Sequence, residues 1–195
     1  MARSSSETDY TKLTLDECVA MMERAAEEVR RDFGGLSASQ LNWKPGPKQW
    51  SVGECLEHLM TGNSLYGQLA ESSLAGARSR PMLSRIPGYS GMCGRFLINA
   101  VSPGARKIKT LSVFEPQQSA VPAEQVEVFE QSQRTAIKWM RKSASLDLKA
   151  TLIASPATSL IVYSLMDAWR LIATHSLRHL DQARGVTATA GFPTT

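Results

Sequence analysis

The chain contains three histidines, and their spacing suggests metal chemistry. His175 and His179 are four residues apart, so on a helix they lie one turn apart on the same face. That face otherwise carries apolar residues, where two unpaired imidazoles would be costly to bury. An i, i+4 pair of histidines can bind one metal ion from a single helix face, as it does in H-E-x-x-H sites. The pair therefore predicts a metal site.

His58 could supply a third ligand from a second helix. It lies at the edge of that helix's apolar stripe, and Gly62, one turn further on, leaves room beside the imidazole. Three histidine ligands leave one or more coordination positions for water or substrate. The alternative is that all three are core histidines bonded to carboxylates or backbone carbonyls, because H-x3-H pairs also occur by chance.

Two further polar side chains could act beside these ligands. Glu54 lies one turn before His58 and could orient its ring, although an S-x-x-E capping box beginning at Ser51 already explains a glutamate there. Gln182 lies near the position one turn beyond His179 and could hydrogen-bond a water on the metal. Cys55 could add a thiolate, but a small buried cysteine is the commoner role.

The interval between Glu71 and Glu115 contains no acidic residue and seven basic ones: Arg78, Arg80, Arg85, Arg95, Arg106, Lys107 and Lys109. This segment could attract an anionic ligand to the metal, with Arg106, Lys107 and Lys109 as the expected contacts. The alternative is a solvated loop. Aromatic residues interleaved with the charges are few, so we do not expect nucleic acid as a partner.

Composition is that of an ordinary globular domain. The 195 residues are 43% hydrophobic and 21% charged, with a net charge of +4. No apolar run reaches the ~18 residues of a membrane span, and the N-terminal stretch has no apolar core of a secretory signal. Three cysteines without a CxxC pattern favour a reduced, cytoplasmic setting. We expect no membrane partner.

Apolar residues at three-four spacing predict four helices. The expected ranges are 15–33, 51 to about 75, from about 122, and 159–184 with Gly185 as the stop. Apolar and polar residues alternate weakly over residues 146–153. The apolar pattern of residues 78–115 fits no single helix. The pattern predicts an all-α fold, a four-helix bundle with a long crossover between helices 2 and 3. We expect a single domain over 13–186, a disordered lead-in over 1–12 and a tail over 187–195.

Two motifs and their order resemble the DinB-like superfamily: QLNWKPGPKQWSVGECLEHL, which begins at Gln40, and HSLRHLDQARGV, which begins at His175. The connection ARKIKTLSVFEP from Ala105 is similar to one branch of that superfamily. The resemblance implies a four-helix bundle that is often a homodimer. It also implies one divalent ion, nickel or zinc or else iron, on His58, His175 and His179.

Characterised members of that superfamily include thiol S-transferases and a mycothiol-dependent isomerase. The resemblance therefore favours a metal-dependent enzyme that transfers a low-molecular-weight thiol to an electrophilic small-molecule substrate. A metal-dependent hydrolase is the alternative enzyme, because a bound metal can activate water. A non-catalytic, metal-stabilised binding or stress-response protein is the third hypothesis, since function follows the site and not the fold.

Overall fold

The computed structural model describes residues 8–77, 81–106, 109–116, 118 and 120–194. Within these residues the chain is mostly helical and carries one small antiparallel sheet, so the predicted all-α class was wrong in this respect. None of the helices in the described part combines the length and apolarity needed to cross a membrane. The elements are α1 Leu15–Phe33, α2 Ala38–Asn42, α3 Val52–Leu74, α4 Tyr89–Val101, α5 Gln125–Ser143, β1 Leu152–Ser155, β2 Thr158–Ser164 and α6 Leu165–Thr187.

The first three helices begin where side chains satisfy free backbone amides. α1 has the predicted bounds and starts at a capping box in which the Thr14 hydroxyl accepts the Glu17 amide and the Glu17 carboxylate accepts the Thr14 amide. Ser51 and Glu54 form the same box before α3, as predicted. The short helix α2 begins at a third box, which starts at Ser37 and was not predicted.

Residues 159–164 were predicted to begin the last helix, but they belong to strand β2. Ile161, Val162 and Tyr163 are β-branched or aromatic and suit a strand, and Tyr163 pairs with Ile153 of β1. Ser164 then ends the strand and caps α6, because its hydroxyl accepts the Asp167 amide at 3.0 Å. At the other end α6 passes through Gly185, the predicted stop, and continues to Thr187.

The four long helices pack in pairs around two hydrophobic clusters. α1 packs on α5 and α6, and α3 packs on the same two helices. Trp169 of α6 is fully buried in one cluster, and its indole N–H donates to the Ser143 hydroxyl at 3.0 Å. Phe33 and Phe129 lie in the other cluster. α4 lies within residues 78–115, for which the sequence indicated no single helix, and it packs on α6 and β2.

The two chain ends contact the folded part within the described residues. Tyr10–Lys12 forms a short 3-10 helix that packs on α4 and α6, and the Asp9 carboxylate accepts the Thr11 amide at its start. Structure therefore begins inside the expected lead-in, of which residues 1–7 lie outside the described part. In the tail, Phe192 packs edge-on against Trp43, with ring centroids 5.5 Å apart.

Candidate metal centre

The three histidines meet where α3 and α6 pack against each other. The two helices run in opposite directions, because Trp50 before α3 stacks on His179 while Tyr66 bonds to Tyr163 just before α6. One ligand nitrogen from each histidine lies within 4.8 Å of the other two. Nε2 of His58 and Nε2 of His175 are 2.7 Å apart. The structure therefore brings together the three side chains predicted from the sequence.

Hydrogen bonding prepares His58 as a ligand. Its Nδ1–H donates to the backbone carbonyl of Phe114, which fixes the tautomer and leaves Nε2 with a lone pair facing His175. Metal-bound histidines commonly donate their second ring nitrogen to a carbonyl in this way. The sequence did not indicate this contact, because any residue can supply a backbone carbonyl.

Each of the other two histidines has one buried ring nitrogen without a partner in the described part of the chain. Nδ1 of His175 and Nδ1 of His179 are buried and have no hydrogen-bond partner among the described residues. A buried polar atom without a partner costs about 1–3 kcal/mol. Nitrogen ligands in a compact group are those that zinc, nickel and iron accept. The donor set therefore fits a divalent metal ion.

Burial keeps all three imidazoles neutral. Desolvation is the largest cause that lowers the pKa of His58 and of His175. The pKa of His179 falls to about 3, first through burial and then through the positive charges of His58 and Arg178, although a hydrogen bond that the imidazole donates to Gln182 acts in the opposite direction. Neutral imidazole is the form that binds a metal, so the site needs no deprotonation near neutral pH.

Two neighbours of the histidines differ in role. Trp50 packs against His58 and His179, with ring centroids 4.9 and 5.6 Å away, and so holds two of the rings in place. Glu54 is buried, and its carboxylate accepts the Lys44 ammonium at 2.6 Å and the Ser51 amide at 3.0 Å. The capping role of Glu54 is therefore confirmed. Neither of these two hydrogen bonds involves His58.

A cavity of about 1020 Å³ opens beside the histidines and extends along both helices. Gln182, one of the predicted neighbours, lines it. Arg178 also lines it and donates to the backbone carbonyls of Ala100 and Arg106, at 2.8 and 3.2 Å. Because both acceptors are neutral, these bonds position the guanidinium and leave its charge in place. Arg178 was not singled out from the sequence as a site residue.

The predicted basic segment contributes to the cavity in part. Lys109 and Arg106 are both exposed; Lys109 lines the cavity, whereas Arg106 contacts the site through its backbone carbonyl. Arg85 and Arg95 are exposed. Lys107, Arg78 and Arg80 lie outside the described residues. Anion attraction by this segment stays a prediction, with Lys109 as its described contact in the cavity.

One known protein family matches a range of the chain that includes the three histidines. The DinB superfamily model matches residues 21–183, a range that holds every helix from the middle of α1 to the histidine helix α6. Comparison with curated proteins and with solved structures gives no match. The match covers more than half of the 195 residues and all three histidines. The chain belongs to the DinB superfamily.

Proposed function

We propose that this protein is a metal-dependent enzyme that transfers a low-molecular-weight thiol to an electrophilic small molecule. The observation that carries the proposal is a group of three histidines, without carboxylate ligands, on the wall of a large cavity. His58, His175 and His179 would hold one divalent ion, with zinc or nickel expected first. The frame would be a four-helix bundle of α1, α3, α5 and α6, with a long crossover from α3 to α5.

The charge of the site supports an anionic ligand. When bound, a divalent ion lowers the pKa of a coordinated thiol and so favours its thiolate form. Neutral imidazoles leave the charge of such an ion uncompensated. Arg178 and Lys109 line the same cavity and add positive charge to it, alongside the acidic Glu115 and Asp181. Cysteine, glutathione and bacillithiol carry carboxylates as well as sulfur, and the two basic side chains offer partners for them.

The cysteines of the protein are poor candidates for the attacking sulfur. All three are buried, and none forms a disulfide. Burial raises the pKa of Cys18 to about 12, so its thiol is protonated near neutral pH. The nucleophile is therefore expected to be an external thiol. The thiol gives up its proton to solvent, its sulfur forms a bond to the electrophilic carbon, and the leaving group departs with the bonding electron pair.

Consumption of thiol tests the proposal. Chelator-treated protein, reloaded with nickel, zinc or iron, is assayed with chlorodinitrobenzene and with cysteine, glutathione, bacillithiol or mycothiol. We expect at least one thiol to react above background, and we expect this activity to be lost in His179→Ala. Lys138→Ala is the matched control, because Lys138 is exposed on α5, which contributes no ligand.

Ester and amide substrates are assayed in parallel with the same preparations. If they turn over while no thiol reacts, the protein is a hydrolase and the proposal is wrong. If neither class reacts although the metal is bound, the site serves binding or stability and not catalysis.

A further inference from the structure

The cavity continues past the histidines in both directions, and its two ends differ in chemistry. One end, the apolar arm, lies towards the end of α3 and the start of α6. The other end, the polar arm, lies towards the start of α3 and the end of α6. The apolar arm is lined by Tyr66, Leu97, Phe114, Ile161, Leu171 and Ile172, together with the polar Asn63 and Ser155. The polar arm is lined by Lys48, Gln49, Asp181, Gln182 and Thr189, together with the apolar Pro45 and Val186.

Internal contacts close the far end of the apolar arm. The hydroxyls of Tyr66 and Tyr163 bond to each other at 2.6 Å, so these polar groups are satisfied without a ligand. The ring of Phe114 stacks on that of Tyr66, with centroids 6.4 Å apart. The arm therefore presents mainly carbon surface to whatever enters it, and it begins beside His58, whose imidazole bonds to Phe114.

Gly62 keeps the space beside His58 open. It lies one turn beyond His58 on α3, lines the cavity, and a Cβ added to it would meet no atom within 4 Å. Two other glycines of α3 differ, because a Cβ would lie 2.3 Å from Val121 at Gly53 and 2.0 Å from Trp139 at Gly67. Packing thus explains those two glycines and does not explain Gly62. A glycine inside a helix is destabilising relative to alanine, so open ligand space is the benefit that Gly62 provides.

Gly185 occupies the corresponding position in the polar arm. It lies within α6, lines the cavity, and a Cβ added there also meets no atom within 4 Å. A Cβ can therefore be added to either arm from a helix without a contact within 4 Å.

We infer that the electrophilic substrate carries an extended apolar body, alkyl or aromatic, which binds in the apolar arm with its reactive carbon towards the three histidines. The inference rests on the proposed function, in which the polar body of the thiol occupies the polar arm. Apolar contact should strengthen binding about fourfold for each buried methylene, the factor that corresponds to ~0.8 kcal/mol. Specificity for the electrophile then depends on the length of its apolar body.

Equilibrium binding of simple probes tests this without turnover. Butanoate, hexanoate and octanoate are titrated into the metal-loaded protein by calorimetry, because the carboxylate can bind near the metal, Lys109 and Arg178 while the chain extends into an arm. We expect the dissociation constant to fall about fourfold per methylene in the wild type. Gly62→Leu should remove most of this chain-length dependence, and Gly185→Leu should keep it.

Gly62→Ala serves as a milder variant if Gly62→Leu fails to fold, and it should reduce the chain-length dependence in part. A dependence that is absent in the wild type, or that is equal in Gly62→Leu and Gly185→Leu, would overturn the inference. These outcomes are separate from those of the proposed function. If thiol transfer fails while the chain-length dependence persists, only the proposed function is wrong. If thiol transfer occurs without a chain-length dependence, only the inference about the apolar arm is wrong.

Discussion

Replacement of His179 by leucine should separate metal binding from folding stability. Nδ1 of His179 is buried without a partner, so the metal-free protein carries a cost of about 1–3 kcal/mol at this residue. A leucine of similar size removes that cost. It also loses the stacking on Trp50, at a centroid distance of 5.6 Å, which is worth about 0.5–1.5 kcal/mol. We therefore expect metal-free His179→Leu to be about 1 kcal/mol more stable than the metal-free wild type.

The order of stabilities should reverse when metal is added. A ligand at a thousandfold its dissociation constant stabilises the folded wild type by about 4 kcal/mol. The variant lacks one ligand and should gain much less. For a chain of 195 residues, 1 kcal/mol corresponds to roughly 2–4 °C in melting temperature. Urea and thermal unfolding with chelator, and then with zinc or nickel, measure both differences.

His175→Leu is the internal comparison. It removes a second unpartnered Nδ1, but it also removes the nitrogen that lies 2.7 Å from Nε2 of His58. Its metal-free gain should therefore be smaller than that of His179→Leu. Two results together would contradict this expectation: metal-free His179→Leu is less stable than the wild type by 1 kcal/mol or more, and metal still stabilises the variant. His179 would then be a packing residue.

Two further predictions concern α3 and the buried tyrosines. Gly67→Ala should lower the free energy of unfolding by about 1–3 kcal/mol because its Cβ would meet the Trp139 ring at 2.0 Å, whereas Gly62→Ala should raise it by about 0.5–1 kcal/mol; urea unfolding of both variants gives the comparison. Burial raises the pKa of Tyr66 and raises the pKa of Tyr163 to about 12. Each tyrosine therefore stabilises the folded protein below its unfolded-state pKa of ~10. This contribution is lost as the pH rises through the pKa of the folded state. Stability should fall by about 1.4 kcal/mol from Tyr163 alone at pH ~11, and ultraviolet absorbance should show phenolate formation together with unfolding; phenolates that appear well before unfolding would contradict this.

Local sequence signals predicted the long helices well. The range of α1 was correct because its apolar stripe is regular and the chain ends the helix at Gly34. The start of α3 followed from a two-residue capping box. The last helix was extended too far back, because Ile161 and Leu165 fit a helical stripe as well as a strand. What decides between them is the pairing of β2 with β1, and such pairing depends on a neighbouring strand and not on local spacing.

The three histidines of the candidate site were predictable, and their surroundings were not. His175 and His179 stood on an apolar helix face, a local signal that needs no tertiary information. The Phe114 carbonyl, the Trp50 ring and the Arg178 guanidinium reach the histidines through contacts between distant segments. Neither spacing nor residue type indicates such contacts, so only the folded structure reveals them.

Metal content measured by elemental mass spectrometry tests the central claim most directly. Purified wild type, His58→Ala, His175→Ala, His179→Ala and the control Lys138→Ala are treated with chelator, reloaded with zinc or nickel, and freed of excess metal. We expect about one metal ion per chain in the wild type and in Lys138→Ala, and loss of most of it in each histidine variant. Unchanged metal content in all three histidine variants would contradict it.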